Sequence, residues 1–163
     1  MLGRVIRMEI RRAEKKDIAR LEHILYQVQD VHAVGRPDLF IKGKKKYSAA
    51  ELEEIIVDDK RPIFVYADDS GLVLGYAFCI DKSFEGSDSM NPDKMLYIDD
   101  LCVDEESRGE HVGKALCEYV RKYAAENGYT RITLNVWELN KGARAFYDAL
   151  GFTPLKTTME VRL

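Results

Sequence analysis

The sequence predicts a single mixed α/β domain, with a central mixed β-sheet of six to seven strands and helices on both of its faces. Three observations predict it. Along the chain the apolar residues switch between alternation and helical spacing, in the order β-α-α-β-β-β-α-β-α-β with a further β segment at the end. The 163 residues, 46% hydrophobic and 33% charged, suffice for one substantial core. No linker, repeat or low-complexity stretch divides residues 1–163.

Residues 5–12 alternate, with Ile6, Met8 and Ile10 on one side, and form a first strand. From Glu14 the spacing becomes helical: Ile18, Leu21, Ile24, Leu25, Val28 and Val31 make one apolar face to about residue 31. His32 to Tyr47 contains Gly35, Pro37 and a basic run and reads as a loop. Ser48-Ala49-Ala50-Glu51 is a capping box that opens a short second helix with Leu52, Ile55 and Ile56 inward. Ile63–Ala67 is a strand, Asp68 to Gly71 a hairpin turn, and Leu72–Ile80 the returning strand, bulged at Gly75. A polar loop over 81–94 leads to a fourth strand, Met95–Val103. A helix over 109–126 buries Val112, Leu116, Tyr119, Val120 and Tyr123 and stops at Asn127-Gly128. Then come a strand over Thr130–Val136, a helix over Lys141–Leu150 closed by Gly151, and β structure over 152–162 around Pro154.

Composition narrows the class of function. A net charge of −3 argues against nucleic acid as the main partner. No window of about 18 apolar residues suggests a membrane span. The start, MLGRVIRMEIRR, lacks the apolar core and cleavage site of a signal peptide, and Met8 is an alternative start with residues 1–7 as an extension. Cys79, Cys102 and Cys117 are odd in number and scattered, which fits reduced thiols in a cytoplasmic protein and neither a disulfide frame nor a metal site.

The most informative junction joins the fourth strand to the following helix: Leu101-Cys102-Val103, a short polar loop, then Arg108-Gly109-Glu110-His111-Val112-Gly113-Lys114. Free backbone N–H groups and the positive dipole end make a helix N-terminus an anion site, glycine admits close approach, and Arg108 adds charge. The G-x-x-x-x-G-K-S/T and G-x-G-x-x-G spacings of nucleotide-binding loops are both absent.

The junction resembles the Gln/Arg-x-x-Gly-x-Gly/Ala turn of the GNAT superfamily of acetyl-CoA-dependent N-acetyltransferases, with Arg108 and Gly113 matching its ends and His111 in place of its first glycine. Residues 135–152 are similar to the second GNAT signature, Asn-x-x-Ala-x-x-Phe/Tyr-Tyr-x-x-x-Gly-Phe, through Asn140, Ala143, Phe146, Tyr147, Gly151 and Phe152. Together the two cover residues 95–153; the N-terminal half matches in element order alone.

The resemblance implies a single-domain GNAT fold with acetyl-CoA as co-substrate. Residues Arg108 to Lys114 would cradle the pyrophosphate. Backbone groups of Leu101, Cys102 and Val103, exposed where the fourth strand parts from the fifth, would bind the pantetheine arm with Asn140, Ala143 and Phe146. Tyr147 beside the sulfur would be the general acid. Tyr97-Ile98-Asp99-Asp100-Leu101 resembles the Tyr-Leu-Glu-Asp segment of the polyamine-acetyltransferase branch, which points to Asp99 as the base, acting through a water. Strict alternation puts Asp99 and Asp100 on opposite faces.

A buried strand thiol is inert, so direct attack by the amine in a ternary complex is expected over an acetyl-Cys102 intermediate. The acceptor pocket is expected between the first two helices, with His32, Arg36 and Phe40 beside Asp99. Acids of the 81–94 loop (Glu85, Asp88, Asp93) favour a small cationic amine, and the run Lys42, Lys44, Lys45, Lys46 reads as a solvated loop. A peptide amine as acceptor, a non-catalytic CoA-binding sensor and a homodimer stay open alternatives.

Overall fold

The computed structural model describes residues 8–163. The expected strand residues 5–7, with Ile6, and the extension 1–7 lie outside them. Five strands form one sheet in the order β1-β2-β3-β4-β5: β1 (Glu9–Arg12), β2 (Ile63–Ala67), β3 (Val73–Asp81), β4 (Met95–Val103) and β5 (Arg131–Leu134). The first four are antiparallel and β5 is parallel to β4, so the sheet is mixed.

The α1 (Ile18–Gly35) and α2 (Ala49–Ile56) helices cover one face, burying Leu21, Ile24, Leu25, Leu52 and Ile55 against Val65, Val73, Tyr76 and Phe78. On the other face α3 (Val112–Glu126) packs Val112, Leu116, Val120 and Ala124 against Phe64, Ala77, Cys79, Leu96 and Ile98. The short α4 (Lys141–Ala149) lies beside the start of α3, with Phe146 against Gly113.

The α1 helix outlasts the expected residue 31 by a turn because Ala33 is buried, and it ends at Arg36, which precedes Pro37 and cannot hold helical backbone (φ −136°, ψ 68°). The expected capping box closes α2: Ser48 Oγ accepts from the Glu51 N–H, and Glu51 Oε2 accepts from the Ser48 N–H at 2.8 Å. The bulge at Gly75 is present, with Leu74 as the extra residue between Gly75 opposite Tyr66 and Val73 opposite Ala67.

The sheet count is a correction: five strands, not six to seven. Residues 152–163 pair with no strand among the described residues. Pro154 lacks a ladder donor, and the segment is held by charge instead, Glu160 to Arg36 at 2.9 Å and Arg162 to Asp38 at 3.3 Å.

Candidate active site

The β4 strand carries the site. It pairs with β5 only from Met95↔Arg131 to Ile98↔Leu134. From Asp99 to Val103 its outer edge has no strand partner among the described residues, so backbone groups at Leu101, Cys102 and Val103 face an open cleft. This is the parting of strands that the resemblance implied.

The same edge runs into a cavity of roughly 410 Å³ at the start of α3, lined by Val103, Ser107, Arg108, Gly109, Val112 and Gly113 among others. The α3 helix begins at Val112, three residues later than the spacing predicted, because Gly109 (φ 84°) and His111 (φ 61°) both take left-handed backbone. His111 is the one non-glycine residue with positive φ among the described residues. It adopts the conformation that glycine would take there, at a cost of about 1–2 kcal/mol.

Ser48 caps α2 and Asn140 caps α4, but no side chain caps α3. Its first N–H groups are therefore free for an anion, with Arg108 and Lys114 at the rim of the cavity. These features fit the pyrophosphate of a CoA molecule. His111 and Phe146 also line the cavity, whereas Glu110 is exposed and does not.

The loop before α3 is tied down from below. Asp104, 2% exposed, pairs with Arg20 and accepts from Gln27 Nε2 at 2.8 Å, and Gln27 Oε1 accepts from the Glu105 N–H at 3.1 Å. Arg20 Nε donates to the Val73 carbonyl at 2.9 Å. A helix on one face of the sheet thus fixes the turn before α3 on the other.

The two acids lie differently from the alternation rule. Phe78 pairs with Asp100 while Cys79 pairs with Ile98, which leaves Asp99 as an extra residue in a bulge. Leu96 and Ile98 face α3, as do Leu101 and Val103, whereas Cys102 packs on the α1/α2 side. Asp99 and Asp100 therefore share the α1/α2 face. Asp99 Oδ2 accepts from the Tyr47 hydroxyl at 2.6 Å and pairs with Lys46 at 2.9 Å. Asp100 Oδ2 accepts from the Tyr76 hydroxyl at 3.0 Å. Desolvation is the main cause that pushes the Asp100 carboxyl up to about 6, with the Asp99 charge adding to it and Lys46 and Tyr76 opposing.

Tyr147 is buried, edge-on to Phe146 and Phe152 at ring distances of 5.0 and 5.4 Å. Burial, then the charges of Cys117, Asp100 and Cys102, push its phenol up, so it stays protonated at neutral pH. Burial likewise pushes the Cys102 thiol up to about 12, far from a nucleophilic thiolate. Asn140 Oδ1 accepts from the Ala143 N–H at 3.0 Å, so that oxygen serves as a helix cap.

The loop over residues 36–48 bridges both lips of the cleft. Its Lys46 and Tyr47 reach Asp99 on β4, while Phe40 stands edge-on to Trp137, just past β5, at 5.2 Å and meets His32 at 5.0 Å. His32 and Phe40 are thus together near Lys46, whose charge, after burial, lowers the His32 pKa. Arg36 does not join them: it is engaged by Asp38 and Glu160.

Lys46, Tyr47 and Tyr76 were not among the expected site residues, and two members of the basic run make ion pairs, the exposed Lys46 with Asp99 and the half-buried Lys45 with Glu22. The available signal was Lys46-Tyr47 directly before the capping box, where the helix start fixes the direction of the chain.

A mixed sheet with parted β4 and β5 and an uncapped, glycine-containing helix start below the cleft is the arrangement that the GNAT resemblance implied. The model of the acetyltransferase (GNAT) family matches residues 27–152, and the chain belongs to that family. A Pseudomonas phage PaMx11 protein named 5-NmdU N-acetyltransferase is 37% identical over 87 residues, 53% of this chain and 54% of its own length. The chain spans about half or less of the first curated relatives it matches. The BH1408 protein of Bacillus halodurans superposes with a TM-score of 0.91 at 28% identity, covering 95% of this chain and 99% of that one. The aminoglycoside N-acetyltransferase AAC(6')-Iy in complex with CoA shares the fold at a TM-score of 0.73 and 22% identity, over 100% and 99% of the two chains. No helix among the described residues is long and apolar enough to cross a membrane.

Proposed function

We propose that the chain transfers an acetyl group from acetyl-CoA to a primary amine of a small molecule, by direct attack in a ternary complex. One observation carries the reading: the free edge of β4 leads straight into the uncapped N-terminus of α3, so a single line of backbone groups serves first a thioester arm and then a pyrophosphate. Arg108, Lys114 and the N–H groups of residues 112–114 hold the phosphates. The Leu101–Val103 edge holds the arm and polarises the thioester carbonyl. AAC(6')-Iy with bound CoA supports this by its shared fold.

Amines need a proton removed before attack, because their conjugate acids titrate near 10. Asp99 takes that proton through a water, with Asp100 beside it. The nitrogen bonds to the thioester carbon, the C–S bond breaks, and Tyr147 donates its proton to the departing thiolate. The raised Cys102 thiol supports direct attack over an acetyl-cysteine. His32, Phe40 and Trp137 form the acceptor's apolar wall. The three free cysteines suit a cytoplasmic protein.

Calorimetry with acetyl-CoA, followed by thiol release over a panel of amines, tests the reading. Binding with turnover on one amine class is the expected result. A protein that binds no acetyl-CoA refutes it.

A further inference from the structure

Lys46 stands directly beside the carboxylate proposed as the base. Its Nζ lies 2.9 Å from Asp99 Oδ2 and donates to the Asp99 carbonyl oxygen at 3.1 Å. The Tyr47 hydroxyl donates to the same Oδ2 at 2.6 Å. The carboxylate oxygen that would receive the acceptor's proton is engaged by two donors, one of them a full cation. Further cations stand around this pair, although Asp100 lies on the same face: Arg61 is 5.8 Å from the centre of the Tyr47 ring, and Lys42 and Lys44 are exposed on the same loop.

Asp100 is half-buried against the Tyr76 hydroxyl, and the other acids that would welcome a second positive charge are engaged or distant. Asp93 is held by Thr130 and Arg131, Asp38 by Arg36 and Arg162, and Glu22 by Lys45. Glu85 and Asp88 sit near the bridges Phe84↔Asp93 and Ser87↔Met90, before β4 begins at Met95. That start is roughly 13 Å from Asp99 at 3.3 Å per strand residue.

We infer that the acceptor is a primary amine carrying its own anionic group, a carboxylate or phosphate a few bonds from the nitrogen, and that Lys46 selects it. The inference rests on the acetyl-transfer reading of the same site. The substrate anion seats on Lys46 Nζ and draws it from Asp99, which leaves the Tyr47 hydroxyl as the one donor on Oδ2 and lets the carboxylate take the amine's proton through a water. An amine without such a group has to displace a like charge to reach Asp99, and a polyamine brings a second cation to the same place.

The test compares matched acceptors by thiol release from acetyl-CoA: glycine against glycinamide, phosphoethanolamine against ethanolamine, and spermidine. Wild type, Lys46→Gln and Lys46→Glu are each first titrated with acetyl-CoA by calorimetry. The expected result is a preference of roughly tenfold or more in kcat/KM for the anionic member of at least one pair, the yield of one charge-assisted hydrogen bond. Lys46→Gln abolishes that preference and Lys46→Glu reverses it, with acetyl-CoA affinity unchanged. The better pair separates carboxylate from phosphate. Preference for spermidine or the uncharged partners in the wild type overturns the inference, as does a ratio that Lys46→Gln leaves intact or turnover of no acceptor by a protein that binds acetyl-CoA. Absence of acetyl-CoA binding instead refutes the underlying acetyl-transfer reading.

Discussion

Asp100→Asn should make the protein more stable near neutral pH, and the sign follows from the fold. The Asp100 carboxyl titrates near 3.8 in an unfolded chain and near 6 in the folded one, because the cleft desolvates it beside Asp99. A folded-state pKa raised in this way means that the native protein holds the proton more tightly than the unfolded chain. The contribution to stability is fully present below pH 4 and is lost as pH rises through 6. Two pKa units at about 1.4 kcal/mol each put that loss at about 2–3 kcal/mol.

An asparagine keeps the shape and can still accept from the Tyr76 hydroxyl, but it has no charge to desolvate. The stability difference between Asp100→Asn and wild type should therefore grow by about 2–3 kcal/mol from pH 4 to pH 7. For a chain of this size that is a rise of roughly 5–10 °C in relative Tm. Urea unfolding of both proteins at several pH values measures it, and other titrating groups largely cancel in the difference. A difference flat across pH would show that solvent reaches this carboxyl freely and would sink the argument for a shared acidic face.

Gly75→Ala should lower stability by about 1–3 kcal/mol: its Cβ would lie 2.9 Å from both the Cys102 carbonyl oxygen and Val112 Cγ1, and a backbone atom cannot step aside. Because Val112 begins α3, acetyl-CoA affinity measured by calorimetry should fall with it; unchanged melting and unchanged affinity would contradict this packing. His111→Gly relieves left-handed strain and should leave stability equal or up to about 1 kcal/mol higher. Acetyl-CoA affinity should then stay within a few-fold, whereas a loss beyond tenfold would assign the phosphate contact to the imidazole. Tyr147→Phe should reduce kcat by about a hundredfold or more with little change in acetyl-CoA affinity, as loss of a general acid does; full activity would remove Tyr147 from the chemistry.

The order of the helices and strands was legible because each rests on local periodicity. The capping box at Ser48 and the strands Ile63–Ala67 and Met95–Val103 came out at their observed bounds. The glycine-containing turn before α3 was legible from Arg108 to Gly113, but the start of α3 was not, since a histidine in left-handed backbone leaves no compositional mark. The tail over 152–162 was expected as β structure around Pro154. Spacing says nothing about whether a partner edge lies within reach, and here charges on Arg36 and Asp38 hold the segment instead. The placement of Lys46 against Asp99 joins residues far apart in sequence, and no local pattern encodes such a meeting.

The bulge at Asp99 changes the parity of β4. Before it, even-numbered residues point toward α3 (Leu96, Ile98); after it, odd-numbered ones do (Leu101, Val103). A one-residue deletion here would leave every strand and helix nameable, yet it would return the remaining acid and everything downstream to a single alternating count. Both halves would keep their old neighbours, because β3 already alternates regularly through Cys79, Phe78 and Ala77, and what would be lost is the second carboxylate on the α1/α2 face. The extra residue therefore serves the doubled carboxylate alone: the seating of Val103 over the start of α3 follows from the ordinary alternation on either side of it.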